Sequence, residues 1–132
     1  MYAFEYSDFV SNTVGAGYMC QFQVPRGSIV TQVMIRVDTA FTGTGTDAMD
    51  VGTGGTRDAA PGDGWGEDLD LQSTGLKYDP NADYNPAGAT GPQFYENGDT
   101  IDIYTTPGQP TAGQGIMMIA IPSYHEPLTT EW

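Results

Sequence analysis

Apolar residues in this chain recur at every second position, in short runs separated by glycine and proline. Cys20, Phe22 and Val24 fall on one side of an extended segment. Met19, Gln21 and Gln23 fall on the other, and Pro25-Arg26-Gly27-Ser28 then turns the chain. Ile29 to Val37 is the clearest strand. Its alternation sets Ile29, Val33, Ile35 and Val37 against Val30, Gln32, Met34 and Arg36. Because it is apolar on much of both faces, it is expected at the centre of a sheet. Thr100–Thr105 reads as a second strand, with Ile101 and Ile103 opposite Asp102 and Tyr104. Gly115–Ile121 reads as a third, apolar on both faces and ended by Pro122, which has no N–H for a ladder. Tyr2–Tyr6, Ala48–Val51, Leu69–Leu71 and Gln93–Tyr95 are weaker strands.

Apolar spacings of three and four are nearly absent, so no helix is expected. Many short strands with Gly/Pro turns predict an all-β fold: a single antiparallel β-sandwich over residues 1–132, of jelly-roll or Greek-key type. Two long turn-rich segments interrupt the pattern, Gly52–Gly66 and Tyr78–Pro92, and loops of that length commonly carry function.

Composition narrows the function. Four Lys and Arg against 17 Asp and Glu give a net charge of −13, which repels phosphate backbones and anionic lipid. Neither nucleic acid nor a membrane surface is an expected partner; the charge suits basic partners, divalent cations or plain solubility at high salt, and a solvated acidic surface is the favoured reading. The opening Met-Tyr-Ala-Phe-Glu-Tyr has neither a basic start nor an apolar run, so synthesis in a cytoplasm is expected. The lone Cys20 reads as a small buried apolar residue.

Catalytic constellations are scarce. His125 is the single histidine, no Gly-x-Ser-x-Gly elbow occurs, and Gly52-Thr-Gly-Gly-Thr lacks the lysine of a phosphate loop. Carboxylate pairs such as Asp58 with Asp63, or those within Glu67-Asp68-Leu69-Asp70, are easy to find among so many acids and carry little weight. Asp79, Asn81, Asp83 and Asn85 alternate as hard oxygen donors suited to Ca²⁺. That run lacks the glycine and the terminal glutamate of an EF-hand loop, and an Asx-rich turn is the favoured reading. No cofactor is expected beyond that calcium option.

Aromatic residues mark the candidate interface. Tyr2, Phe4, Tyr6 and Phe9 lie in residues 1–14, read as an N-terminal arm that docks either on its own domain or on a neighbouring subunit. Tyr124 and Trp132 supply a second set at the other end, and Trp65 and Tyr84 stand in the long loops. Trp65, Tyr78 and Tyr84 also form the basis of an alternative, a carbohydrate-binding or adhesin module of a virion fibre or tail.

Val24-Pro25-Arg26-Gly27-Ser28-Ile29-Val30 leads through Val33, Ile35 and Val37 to Thr39-Ala40-Phe41, then to Ala48-Met49-Asp50-Val51-Gly52-Thr53. Asn97-Gly98-Asp99-Thr100-Ile101 and Thr111-Ala112-Gly113-Gln114-Gly115 precede the two later strands. Over roughly residues 23 to 121 this pattern is similar to small all-β virion proteins of tailed bacteriophages. The resemblance implies a non-enzymatic head decoration or cement protein, located in the virion. Its implied partners are the major capsid protein, other virion subunits and further copies of itself. The aromatic N-terminal segment, the 78–92 loop and the Trp132 ending depart from that pattern.

Overall fold

The computed structural model describes residues 1–11, 17–54, 64–79 and 92–122. Among them the chain forms eleven strands and one 3₁₀ turn. The strands are β1 (Tyr2–Glu5), β2 (Val10–Ser11), β3 (Tyr18–Val24), β4 (Ser28–Val30), β5 (Gln32–Thr42), β6 (Met49–Thr53), β7 (Gly66–Leu69), β8 (Gly75–Lys77), β9 (Gln93–Tyr95), β10 (Asp99–Thr105) and β11 (Ala112–Ala120). The turn, Tyr6–Asp8, joins β1 to β2. All pairings are antiparallel.

Two sheets pack together as a sandwich. One runs β1-β11-β5-β8, the other β2-β3-β10-β6-β7, and β4 pairs with β9 as a separate two-stranded ladder. The inward alternates of both sheets form one core: Phe4, Val33, Ile35, Val37, Phe41 and Met117 from the first, and Cys20, Phe22, Val24, Met49, Val51, Ile101 and Ile103 from the second. The all-β, antiparallel reading of the sequence holds. So does the central position of the strand read from Ile29 to Val37, since β5 lies inside the four-stranded sheet; β11 lies beside it.

Two expectations are corrected, and one left open is decided. The strand read as Ile29–Val37 breaks at Thr31, whose N–H and hydroxyl both donate to the Ala120 carbonyl, at 2.9 and 3.1 Å. The break shifts the alternation by one. Val30 is therefore buried and Ile29 exposed, the reverse of the expected phase. The segment read as Leu69–Leu71 is instead Gly66–Leu69, and Leu71 lies beyond the strand as a core residue. Of the two dockings open to the N-terminal segment, Tyr2 to Glu5 take the first: they pair with Met117 to Gln114 as the edge of the domain's own sheet.

The reason is aromatic packing. Phe4 stacks on Phe41, with centroids 5.5 Å apart and planes 20° apart, and meets Phe22 of the opposite sheet edge-on at 5.4 Å. Phe9 meets Phe41 edge-on at 6.2 Å. Glycine on β11 makes the room. A Cβ on Gly115 would stand 2.8 Å from the Arg36 carbonyl oxygen and 3.1 Å from the Phe4 ring. One on Gly113, whose φ is +129°, would collide with Phe41. Phe4→Ala should therefore lower stability by about 3–5 kcal/mol, read from denaturant unfolding. Removal of residues 1–9 should leave the chain unfolded or aggregated; an unchanged melting temperature would show that the segment is dispensable to the core.

Candidate interaction face

Each site residue expected from the sequence has a definite standing. Phe4, Phe9 and Trp65 are core residues, 5, 2 and 4% exposed, so none of the three presents a ring to a partner or a sugar. The Trp65 indole N–H donates to the Tyr95 hydroxyl at 2.9 Å, and that hydroxyl lies 2.7 Å from the Thr53 hydroxyl. This buried chain ties the β4–β9 ladder to the five-stranded sheet and explains why a tryptophan between two glycines is held inside. Tyr2 and Tyr6 are exposed at the domain's edge. The Tyr2 ring tilts against Phe22 at 5.8 Å, and its hydroxyl donates to the Gln23 carbonyl at 3.1 Å. Asp79 is half-buried at the end of a described stretch. Tyr84, Tyr124, Trp132, Asn81, Asp83 and Asn85 lie outside the described residues, as do His125, Asp58 and Asp63.

Cys20 faces inward. Burial, reinforced by the nearby Asp8 and Asp102 carboxylates, pushes its thiol up to about 12. A buried thiol so shifted stays protonated at neutral pH, which suits the small apolar core residue expected from the sequence.

The surface itself carries a pattern that the sequence reading had assigned to burial. On the four-stranded sheet, Phe4, Met117, Ile35 and Val37 point inward. Their neighbours in register point outward. Ala3, Ile116, Arg36 and Leu76 lie side by side across all four strands. Met118 and Met34 pair in the next outward row. One residue past the ends of the edge strands, Met1 and Tyr78 extend that row by the same alternation. Every member of the two rows except Arg36 is apolar or aromatic. Leu76 is 51% exposed and Tyr78 45%, while Ile116, Met118 and Met34 are half-buried against one another. The outer face of an antiparallel sheet is ordinarily polar; here two largely apolar rows interrupt it, between Glu5, Gln114 and Asp38 on one side and Gln32 on the other.

Polar groups border the face. The Arg36 guanidinium grips Asp38 with two hydrogen bonds, at 2.8 and 3.1 Å, and those bonds hold the Asp38 carboxyl below its ordinary range. Next to Ala3 and Ile116 the surface dips into a recess of about 410 Å³, edged by Glu5, Asp8, Asp38 and Gln114. A smaller apolar pair stands on the ladder: Ile29 and Phe94 are directly opposed, 45 and 55% exposed, with Val30 and Tyr95 buried beneath them.

Comparison with protein-family models, curated proteins and solved structures finds nothing that matches this chain.

Two outcomes follow. In the folded protein at pH 8 the Cys20 thiolate fraction should be about one in ten thousand, so a thiol reagent should label it only at the rate of unfolding. Because the thiol is raised in the folded state from 9.0, its contribution to stability should be complete below about pH 9 and be lost as the pH rises toward about 12. Tyr95→Phe removes both hydroxyl hydrogen bonds at the ladder and should cost about 1–3 kcal/mol by urea unfolding. No loss would show that the ladder is held by its apolar contacts alone.

Proposed function

We propose that this chain is a non-enzymatic structural subunit of a virion, a capsid decoration protein that binds the major capsid lattice. The observation that carries the reading is the apolar outer face of the four-stranded sheet, built into strands that the core holds rigid. Such a face suits docking on a fixed surface better than turnover of a small molecule.

The strand order supports it. Without the two-residue β2 and the β4–β9 ladder, eight strands remain. In chain order they lie first-eighth-third-sixth in one sheet and second-seventh-fourth-fifth in the other. Two interleaved Greek keys give this order in jelly rolls, an architecture found in viral capsid domains and also in lectins and cupins. The resemblance over residues 23 to 121 points the same way. The adhesin alternative loses its strongest stacking residue, because Trp65 is buried.

A density gradient of native particles tests the proposal. The chain should band with the particles at a fixed ratio to the shell protein. A chain that stays at the top of the gradient while binding host glycans in isolation would replace decoration by adhesion.

A further inference from the structure

We infer that the outer face of the four-stranded sheet is the docking surface, and that its occupant is a different protein presenting an apolar patch bordered by lysine and arginine. This rests on the assembly reading above and adds to it the surface and the chemistry of the partner.

The face is built rather than incidental. Isolated surface apolar residues need no explanation, but these occupy two consecutive outward rows, interrupted only by Arg36. The core fixes their direction, since the inward alternates of the same strands are Phe4, Met117 and Ile35. Methionine at its centre matches a surface that must adapt to another.

Two arguments select the occupant. The first is area. Four strands about 4.8 Å apart and two outward rows about 7 Å apart cover on the order of 250 Å². A stable pairwise interface buries about 800 Å² on each partner. The face alone is thus too small to hold two copies together, whereas a partner adding contacts at the border or repeating the site on a lattice makes up the difference. The second is charge. The chain carries −13, and the recess at the border of the face is edged by Glu5, Asp8 and Asp38. Arg36, the cation on the face, is already engaged by Asp38. A second copy brings like charge to like charge around a small apolar centre; a basic border on the partner brings attraction there.

The test places a photo-cross-linking amino acid at position 76, and separately at position 94 on the ladder, in the full chain made in its native cell. The cross-linked protein is then purified as the probe. The expected result is an adduct from position 76 to a different protein, mapping to a peptide next to clustered Lys or Arg. Binding of the purified partner should weaken about tenfold with Leu76→Glu, and about tenfold again between about 0.05 and about 0.5 M salt. Leu76→Met should bind as the parent does. Circular dichroism and melting temperature confirm that each variant is folded; at 51% exposure, position 76 tolerates charge without unfolding the core.

An adduct to a second copy, an acidic partner, salt-independent binding, or no adduct from position 76 would each overturn the inference. If position 94 alone reaches the shell protein, the assembly reading stands and this face is wrong. If position 76 reaches a basic protein that is no part of a shell, the face stands and the decoration reading fails.

Discussion

The stack of Phe4 on Phe41 is the contact on which the arrangement turns. It joins the first strand of the chain to the longest, and the same Phe4 ring meets Phe22 across the sandwich. One side chain therefore sets the spacing of the two sheets at that edge and the register of β1 on β11. Glycine at 113 and 115 is what lets the rings lie so close to the β11 backbone. Register has a direct consequence at the surface. Side chains alternate strictly, so a slip of one residue would bury Ala3 and turn Phe4 out to solvent. The apolar core and the apolar outer face are thus two readings of one register.

The two sheets differ in what they show outside. In the five-stranded sheet some central outward positions are closed: Met19, Asp102 and Tyr104 are buried although they alternate with core residues, while Gln21 and Gln23 on β3 are exposed and polar. Tyr104 lies against Gly17, where any Cβ would collide with its ring. In the four-stranded sheet the corresponding positions are Ile116, Met118, Met34 and Arg36, partly open and flanked by the exposed Leu76. The two outer faces thus differ in chemistry: where the five-stranded sheet is open it shows glutamine and carboxylates, and the four-stranded sheet shows apolar side chains. Edge pairing offers little to a partner, because the edge strands β1, β2, β7 and β8 span only 4, 2, 4 and 3 residues. What the four-stranded sheet offers is its face.

The fold class and most strands were legible because period two is a strong local signal; Gln93–Tyr95 appears with the expected ends. The errors share one cause: tertiary contacts that leave no local trace. Nothing in Ile29-Val30-Thr31-Gln32 announces that Thr31 will bond Ala120, 89 residues away, and so invert the phase. Trp65 reads as a loop residue because glycine flanks it, yet its indole finds Tyr95. Aromatic residues near a terminus read equally as a strap or a first strand until Phe41 is placed beneath Phe4. The outer face was visible but misassigned. The Ile29–Val37 strand, apolar on much of both sides, reads as central, which β5 is, but a central strand in a two-layer sandwich buries only one side. The second apolar side was the signal.

The topology also separates most of that face from the two turn-rich segments. β6 ends at Thr53 opposite Ile101, β8 ends at Lys77 opposite Ile35, and β11 ends at Ala120 opposite Gln32. All three chain exits lie toward the end of the sandwich that carries the β4–β9 ladder, where Val24 pairs with Asp99. The turn-rich segments therefore leave from one end, and the outer rows lie within the strands except where Met1 and Tyr78 extend one of them past the strand ends. Outward side chains carried by strand interiors are held to the tolerances of the core, because moving any of them moves the buried one beside it.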